Sequence, residues 1–420
     1  MVNKTVLDNG IRIVTERVPE VHSVTIGIWV KTGSRNERGR ENGIAHFIEH
    51  MLFKGTASHT SRDIAKIIDS VGGVINAFTT KEHTCFYVKV LHQHLDLAVT
   101  ILTDIFFNSL FDRAEIEKER NVIIQEINMV KDTPDDYIQD LFNQSYFANH
   151  PLGYTVLGQN ETVQNFTRER IVDFFRREYL VPQKIIISAA GNIEHNSLVD
   201  KIAGRFHHLK EYASDTAGTC FKPRREVCFH FRDLEQVHIC MGAPGLSQTD
   251  ENRHTLYILN AILGGSMSSR LFQEIREKNG LAYSVFSFIA AFNDVGIFGI
   301  YMGIVQQTLD SAMQIVQNEI KTLKDTLIED TELTCAKEQI KGNMLLALES
   351  SDSRMSRLAK CELYYNDFIP VESILSSVDK VRADDVRDLA RSILRNECCT
   401  YTFLGPATEK TVSPSVLHLN

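Results

Sequence analysis

Apolar and polar residues alternate with a period of two near the start of the chain, and later with a period closer to 3.6. Leu7-Asp8-Asn9-Gly10-Ile11-Arg12-Ile13-Val14 sets an Asn-Gly turn between apolar flanks, which predicts a β-hairpin. Ser23 to Lys31 alternates as a half-buried strand and holds the only tryptophan, Trp29. A polar loop, Thr32 to Asn42, follows it. From Gly43 to Thr56 the apolar spacing becomes helical, and Gly55 closes the run. A second helix starts at Ser61 and ends at Gly72-Gly73. Val74 to Val90 predicts two strands around Thr79-Thr80-Lys81-Glu82, and His92 to Phe107 an amphipathic helix. A long helical stretch from Arg113 to Phe142 is interrupted by the polar break Lys131-Asp132-Thr133-Pro134.

The second half of the chain echoes this order. Gln236 to Gly242 parallels the strand from Val21 to Val30, and Gly280 to Ile320 parallels Gly72 to Phe106. Thr331 to Leu358, with its break at Glu349-Ser350-Ser351-Asp352, parallels Arg113 to Phe142. The expected class is therefore α+β, with two related α/β halves of about 200 residues, an ordinary domain size. Each half is expected to form a mainly antiparallel sheet with helices on one face. The small polar run Tyr212 to Gly218 suggests the linker, so the halves are read as 1–215 and 216–420.

Composition narrows the class of molecule. A hydrophobic content of 43% with 24% charged residues describes an ordinary globular chain of 420 residues. The net charge of −9 argues against nucleic acid as a partner and mildly favours cationic substrates. The eight cysteines form no CxxC pair and no disulfide-like framework, so reduced, mostly buried thiols are expected. Adjacent Cys398 and Cys399 are read as strand packing. No apolar signal core and no membrane-length apolar run is found, so a cytoplasmic protein without membrane contact is expected.

Candidate chemistry concentrates in the first helix, where His46-Phe47-Ile48-Glu49-His50 carries two histidines four residues apart. On a helix that separation is about 6 Å of rise on one face, which suits two imidazoles on one metal ion. Glu49 precedes the second histidine and is close enough to take a proton from a water at such an ion. The order His-x-x-Glu-His is the inverzincin pattern. A two-histidine zinc site wants a third ligand, usually a carboxylate. Glu119 and Glu126, seven residues apart on the long helix, both qualify, and spacing does not choose between them. The second half has no such motif, so one metal ion per chain is expected.

Several ordered motifs carry a resemblance. They are Gly43 to Thr56; Gly72-Gly73-Val74-Ile75-Asn76-Ala77-Phe78-Thr79; Glu119 to Glu126; Pro151 to Gly158; and Ser268-Ser269-Arg270-Leu271-Phe272 through Ala282-Tyr283-Ser284. Over almost its whole length the chain resembles the pitrilysin family of zinc peptidases, and within it the bacterial relatives of the processing peptidase β-subunit. The resemblance implies a zinc endopeptidase with His46, His50 and Glu126 as ligands, Glu126 lying 76 residues after His50 (126 − 50 = 76). It implies that Glu49 is the general base and that Glu119 orients a ligand histidine. Asn76 to Thr79 match the strand that aligns substrate, with Asn76, Ala77 and Phe78 as its candidate binding residues, and Arg276 and Tyr283 match residues that reach substrate and transition state. Asp136 and Asp140 match acids that bind an arginine near the cut. The family encloses peptides in a chamber, so a homodimer is expected, the alternative being a heterodimer with an inactive homologue. The competing functional reading is a non-catalytic structural or partner subunit.

Overall fold

The computed structural model describes residues 1–209 and 221–418. The division expected at 215/216 falls outside the described residues. Contacts gather the chain into two compact units, each built on one sheet.

The first sheet comprises β1 (Val2–Val6), β2 (Arg12–Arg17), β3 (Ser23–Val30), β4 (Val74–Thr79), β5 (Thr84–Leu91) and β6 (Ile185–Gly191), in the order β1-β2-β6-β3-β5-β4. Only β2 and β6 pair in parallel. The second sheet comprises β7 (Glu226–Phe231), β8 (Val237–Gly245), β9 (Ala282–Ala291), β10 (Gly296–Ile304) and β11 (Thr400–Gly405), in the order β7-β11-β8-β10-β9. There only β7 and β11 are parallel. Strand for strand, β7-β11-β8-β10-β9 repeats β2-β6-β3-β5-β4. The internal repeat read from the sequence is therefore a repeat of topology, and the mixed, mainly antiparallel class holds.

The helices of the first half are α1 (Ile44–Leu52), α2 (Ser61–Asp69), α3 (Leu95–Asn108), α4 (Arg113–Asp132) and α5 (Pro134–Tyr146). Thr60 and Asp63 cap α2 reciprocally, which satisfies backbone donors that its first turn leaves open. The long helical stretch divides at Thr133, and Pro134 takes the first position of α5, where its missing N–H costs nothing. Ile44, Phe47, Ile48, Met51 and Leu52 of α1 join Ala98, Leu102 and Ile105 of α3 over Ile26, Ile28, Phe86 and Val88 of the sheet.

The opposite face of each sheet is also covered, and the covering helix comes from the other half of the sequence. Segment Ala347–Phe368 belongs to the first unit and Val130–Gly153 to the second. The helix Ser351–Tyr365 buries Met355, Leu358 and Ala359 against Val14, Trp29, Cys85 and Ile186. In the second unit α5 buries Ile138, Leu141 and Phe142 against Cys240, Ile297, Tyr301 and Leu404. β3 is consequently buried on both faces rather than half-buried, because it is central and covered twice. Its polar Thr25 is satisfied from above by Asp352 (2.6 Å) and Ser351 (2.9 Å). Gly27 leaves room for Met355, whose Sδ would lie 2.9 Å from an added Cβ.

The described cysteines are free, four of them buried, and Cys398-Cys399 lies just ahead of β11 rather than within it. Among the described residues no helix is long and apolar enough to cross a membrane.

Met355 is 1% exposed and accepts a hydrogen bond from Trp29 Nε1 at 3.1 Å. Met355→Ala is expected to cost about 2–5 kcal/mol, since the cavity lies between helix and sheet. Urea unfolding followed by Trp29 fluorescence measures it; a loss under about 1 kcal/mol would mean the helix is dispensable to this unit.

Candidate metal centre

α1 is fixed at its start before it presents any side chain. The Glu37 carboxylate accepts from the backbone N–H groups of Gly43 (2.8 Å) and Ala45 (2.9 Å), and from Asn42 Nδ2 (3.0 Å). An acid at a helix N-terminus satisfies orphan donors and suits the helix dipole. Gly43 turns the chain into α1 with φ +95°, and an added Cβ would lie 2.7 Å from the Cα of Gly158. Only glycines permit that backbone contact.

With one face of α1 in the core, His46, Glu49 and His50 are left on the side toward α4. His46 and His50 have ring centroids 4.6 Å apart. Glu126 Oε2 lies 3.8 Å from His46 Nε2 and 3.6 Å from His50 Nε2. One ligand atom from each of the three residues can be chosen so that all lie within 4.8 Å of one another, the one such group among the described residues. Neighbouring donors around a tetrahedral zinc with bonds near 2.0–2.1 Å are about 3.3 Å apart, and the two glutamate–histidine separations, 3.6 and 3.8 Å, come near that spacing.

Glu119, one of the two acids that spacing left in competition, faces elsewhere. It accepts from His50 Nδ1 at 3.0 Å and pairs with Lys54 Nζ at 2.6 Å. That bond leaves His50 Nε2 pointing at Glu126. A carboxylate behind the imidazole fixes both its tautomer and its ring plane.

Electrostatics separates these groups further. Burial pushes His46 down to about 3, with help from His50, so its ring is neutral at pH 7 and its lone pair is free for a metal. Burial pulls His50 the same way, but the bond to Glu119 and the charges of Glu126, Glu119 and Glu49 outweigh it and raise the group. Glu119 is held low: burial raises it, and His50 and Lys54 more than offset that. Burial lifts Glu49 above the usual carboxylate range, against the pull of the Thr79 hydroxyl and His50. A base poised upward in this way suits proton transfer near neutrality.

The remaining residues singled out in the sequence fall into two groups. Asn76, Ala77 and Phe78 lie on β4, the edge strand of the first sheet, which among the described residues pairs only with β5. Asn76 is exposed and its Oδ1 accepts from Ala77 N, while the Phe78 ring packs on Trp29 with centroids 5.4 Å apart. Asp136 and Asp140 lie on α5, and Arg276 and Tyr283 in the region 272–283, all belonging to the second unit, whereas the cluster belongs to the first. The Arg276 guanidinium stacks over Phe272 (4.8 Å) and Tyr283 (4.9 Å), and Tyr283 is 79% exposed. Two contributors escaped the sequence reading. Glu37 sits six residues before Gly43, too far for a capping pattern, in a stretch that reads only as polar loop. Thr79 reads in the sequence as part of the turn between two strands and as the end of the substrate-aligning motif, with no bond to Glu49 implied; its hydroxyl donates to Glu49 at 2.5 Å.

Residues 12–160 match the family described as "Insulinase (Peptidase family M16)", and residues 165–340 match "Peptidase M16 inactive domain". The chain is 41% identical over 401 residues to an uncharacterized zinc protease of Bacillus subtilis, covering 94% of this chain and 97% of that one. It is 39% identical over 421 residues to an uncharacterized zinc protease of Streptomyces coelicolor, covering 98% and 91%. In fold it is similar to the crystal structure of a protease from Helicobacter pylori, with a TM-score of 0.90 at 23% identity over 97% of this chain and 99% of that one. Matches this long and this similar make the chain a member of peptidase family M16, the insulinase family.

Proposed function

We propose that the protein is a zinc-dependent endopeptidase acting on peptides and unfolded basic segments. The observation that carries this reading is the convergence of His46, His50 and Glu126 donor atoms within 4.8 Å, with Glu49 on the same helix. The names of the relatives, zinc proteases, support it. One zinc ion held by these three residues would act as a Lewis acid on a carbonyl and make water acidic enough to react near pH 7.

The chain's own residues do the rest. His46, neutral, and His50, oriented by Glu119, would hold the ion together with Glu126. Glu49 takes the proton from the attacking water and returns it to the departing amine. The open edge of β4 at Asn76, Ala77 and Phe78 takes the peptide as an added strand, which satisfies its backbone without reading its sequence. Arg276 and Tyr283 contact the substrate, and Asp136 and Asp140 pair with an arginine side chain. The working form is a homodimer enclosing a chamber, with a heterodimer including an inactive homologue as the alternative. Its free cysteines fit the reducing cytoplasm.

Glu49→Gln is expected to keep stoichiometric zinc and lose cleavage of a basic quenched peptide by about 10²–10⁴-fold. Metal analysis and steady-state kinetics on both proteins test it; wild type with neither zinc nor cleavage would overturn the reading. Glu119→Gln is expected to weaken zinc binding about 10–100-fold, measured by competition with a fluorescent chelator. Unchanged affinity would remove Glu119 from the site. Dialysis against a strong chelator should abolish cleavage, and added zinc should restore it.

A further inference from the structure

Glu49 is attached to the sheet as well as to its helix. Thr79, the last residue of β4, donates its hydroxyl to Glu49 Oε2 at 2.5 Å. Behind it stands a short file of hydroxyls. Thr84, the residue opposite Thr79 in the β4–β5 register, has its Oγ1 3.4 Å from Thr79 Oγ1. Thr84 donates to the Thr32 carbonyl at 2.9 Å and lies 3.0 Å from the Tyr179 hydroxyl. Tyr179 in turn donates to the carbonyl of Ala45, the residue before His46, at 3.3 Å. Thr84 and Tyr179 are wholly buried. The file therefore begins at the carboxylate of Glu49 and ends on the backbone of the same helix.

We propose that Thr79 is a positioning residue for Glu49, its hydroxyl selecting the side-chain conformation in which the base meets the attacking water. This rests on the peptidase reading of the site. A glutamate on a helix face has three rotatable bonds, and His46, His50 and Glu126 offer it no fixed donor once they hold a cation. Thr79 supplies one. The donor is rigid, because it ends a strand laddered to β5 and its own oxygen faces a buried threonine. β-branching restricts its χ1, so the hydroxyl does not swing. β4 is also the open edge of the sheet, so the strand that would take the peptide backbone is the strand that holds the base. Misplacement of a reacting group by about 1 Å can cost about 10²-fold in rate, which sets the scale of the effect.

Thr79→Val keeps the shape and β-branching and removes the hydroxyl; Thr79→Ser keeps the hydroxyl. With zinc-loaded full-length protein and a basic quenched peptide, Thr79→Val is expected to lower kcat about 10–100-fold. Its KM, zinc content and thermal midpoint should match wild type, and Thr79→Ser should recover kcat to within about threefold. Full kcat in Thr79→Val, an equal loss in both variants, or a change confined to KM would overturn the proposal. Crystal structures of the zinc-loaded wild type and Thr79→Val give a readout independent of turnover. Glu49 is expected to bond Thr79 in the first and to take another conformation in the second. A wild-type Glu49 free of Thr79, or one unmoved in the variant, would overturn it. A wild type that cleaves no peptide brings down the peptidase reading, and the two crystal structures still decide whether Thr79 sets the Glu49 conformation.

Discussion

The site depends on the way α1 is buried. Five of its nine residues (Ile44, Phe47, Ile48, Met51 and Leu52) are large and apolar and almost wholly enclosed in the core of the first unit. Burying side chains of this kind contributes about 1.5–3 kcal/mol each, far more than any one polar contact on the helix. That burial fixes the rotation of α1 about its axis, and hence the direction in which His46, Glu49 and His50 project. Glu37 and the Gly43–Gly158 contact fix the remaining freedom, the height of the helix along that axis. Precision in the polar cluster is thus inherited from the apolar core into which the same helix packs.

Four glutamates close to α1 carry the same functional group and have different tasks, set by their neighbours. Glu37 meets backbone donors at the helix start and acts as a cap. Glu119, between His50 and Lys54, is held ionised and orients a ring. Glu126 is half-exposed and faces both Nε2 atoms. Glu49, half-buried with a single hydroxyl donor, is lifted above the usual carboxylate range. The two histidines divide likewise: burial, helped by His50, lowers the first, and at the second three nearby carboxylates outweigh the pull of burial. Environment rather than residue type makes the difference.

Sheet topology is used twice, and among the described residues only one copy carries the cluster. In both units the central strands are apolar on both faces, so each sheet needs helices above and below. Helices adjacent in sequence cover one face. A segment from the other half of the chain, Ala347–Phe368 or Val130–Gly153, covers the second. The alternating pattern along β3 therefore reads as a half-buried strand, although Thr25 is capped by Asp352 and Ser351 and wholly buried.

The sequence by itself determined the elements, their repetition, and the pairing of His46 with His50 on one helical face. These follow from local spacing: the rise and turn of an α-helix and the pleat of a strand are constants of the backbone. Asn9-Gly10, Thr60 with Asp63, and Pro134 likewise mark their boundaries through bonds made within a few residues. What spacing could not reach was the relation between α1 and elements far along the chain. Glu119 and Glu126 sit two turns apart on one helix, equally placed in sequence, and only the packing of α4 against α1 turns one to both Nε2 atoms and the other to His50 Nδ1. The same holds for Glu37 and Thr79. Each bonds to α1 or its side chains across loops that carry no periodic signal, so their roles exist only in three dimensions.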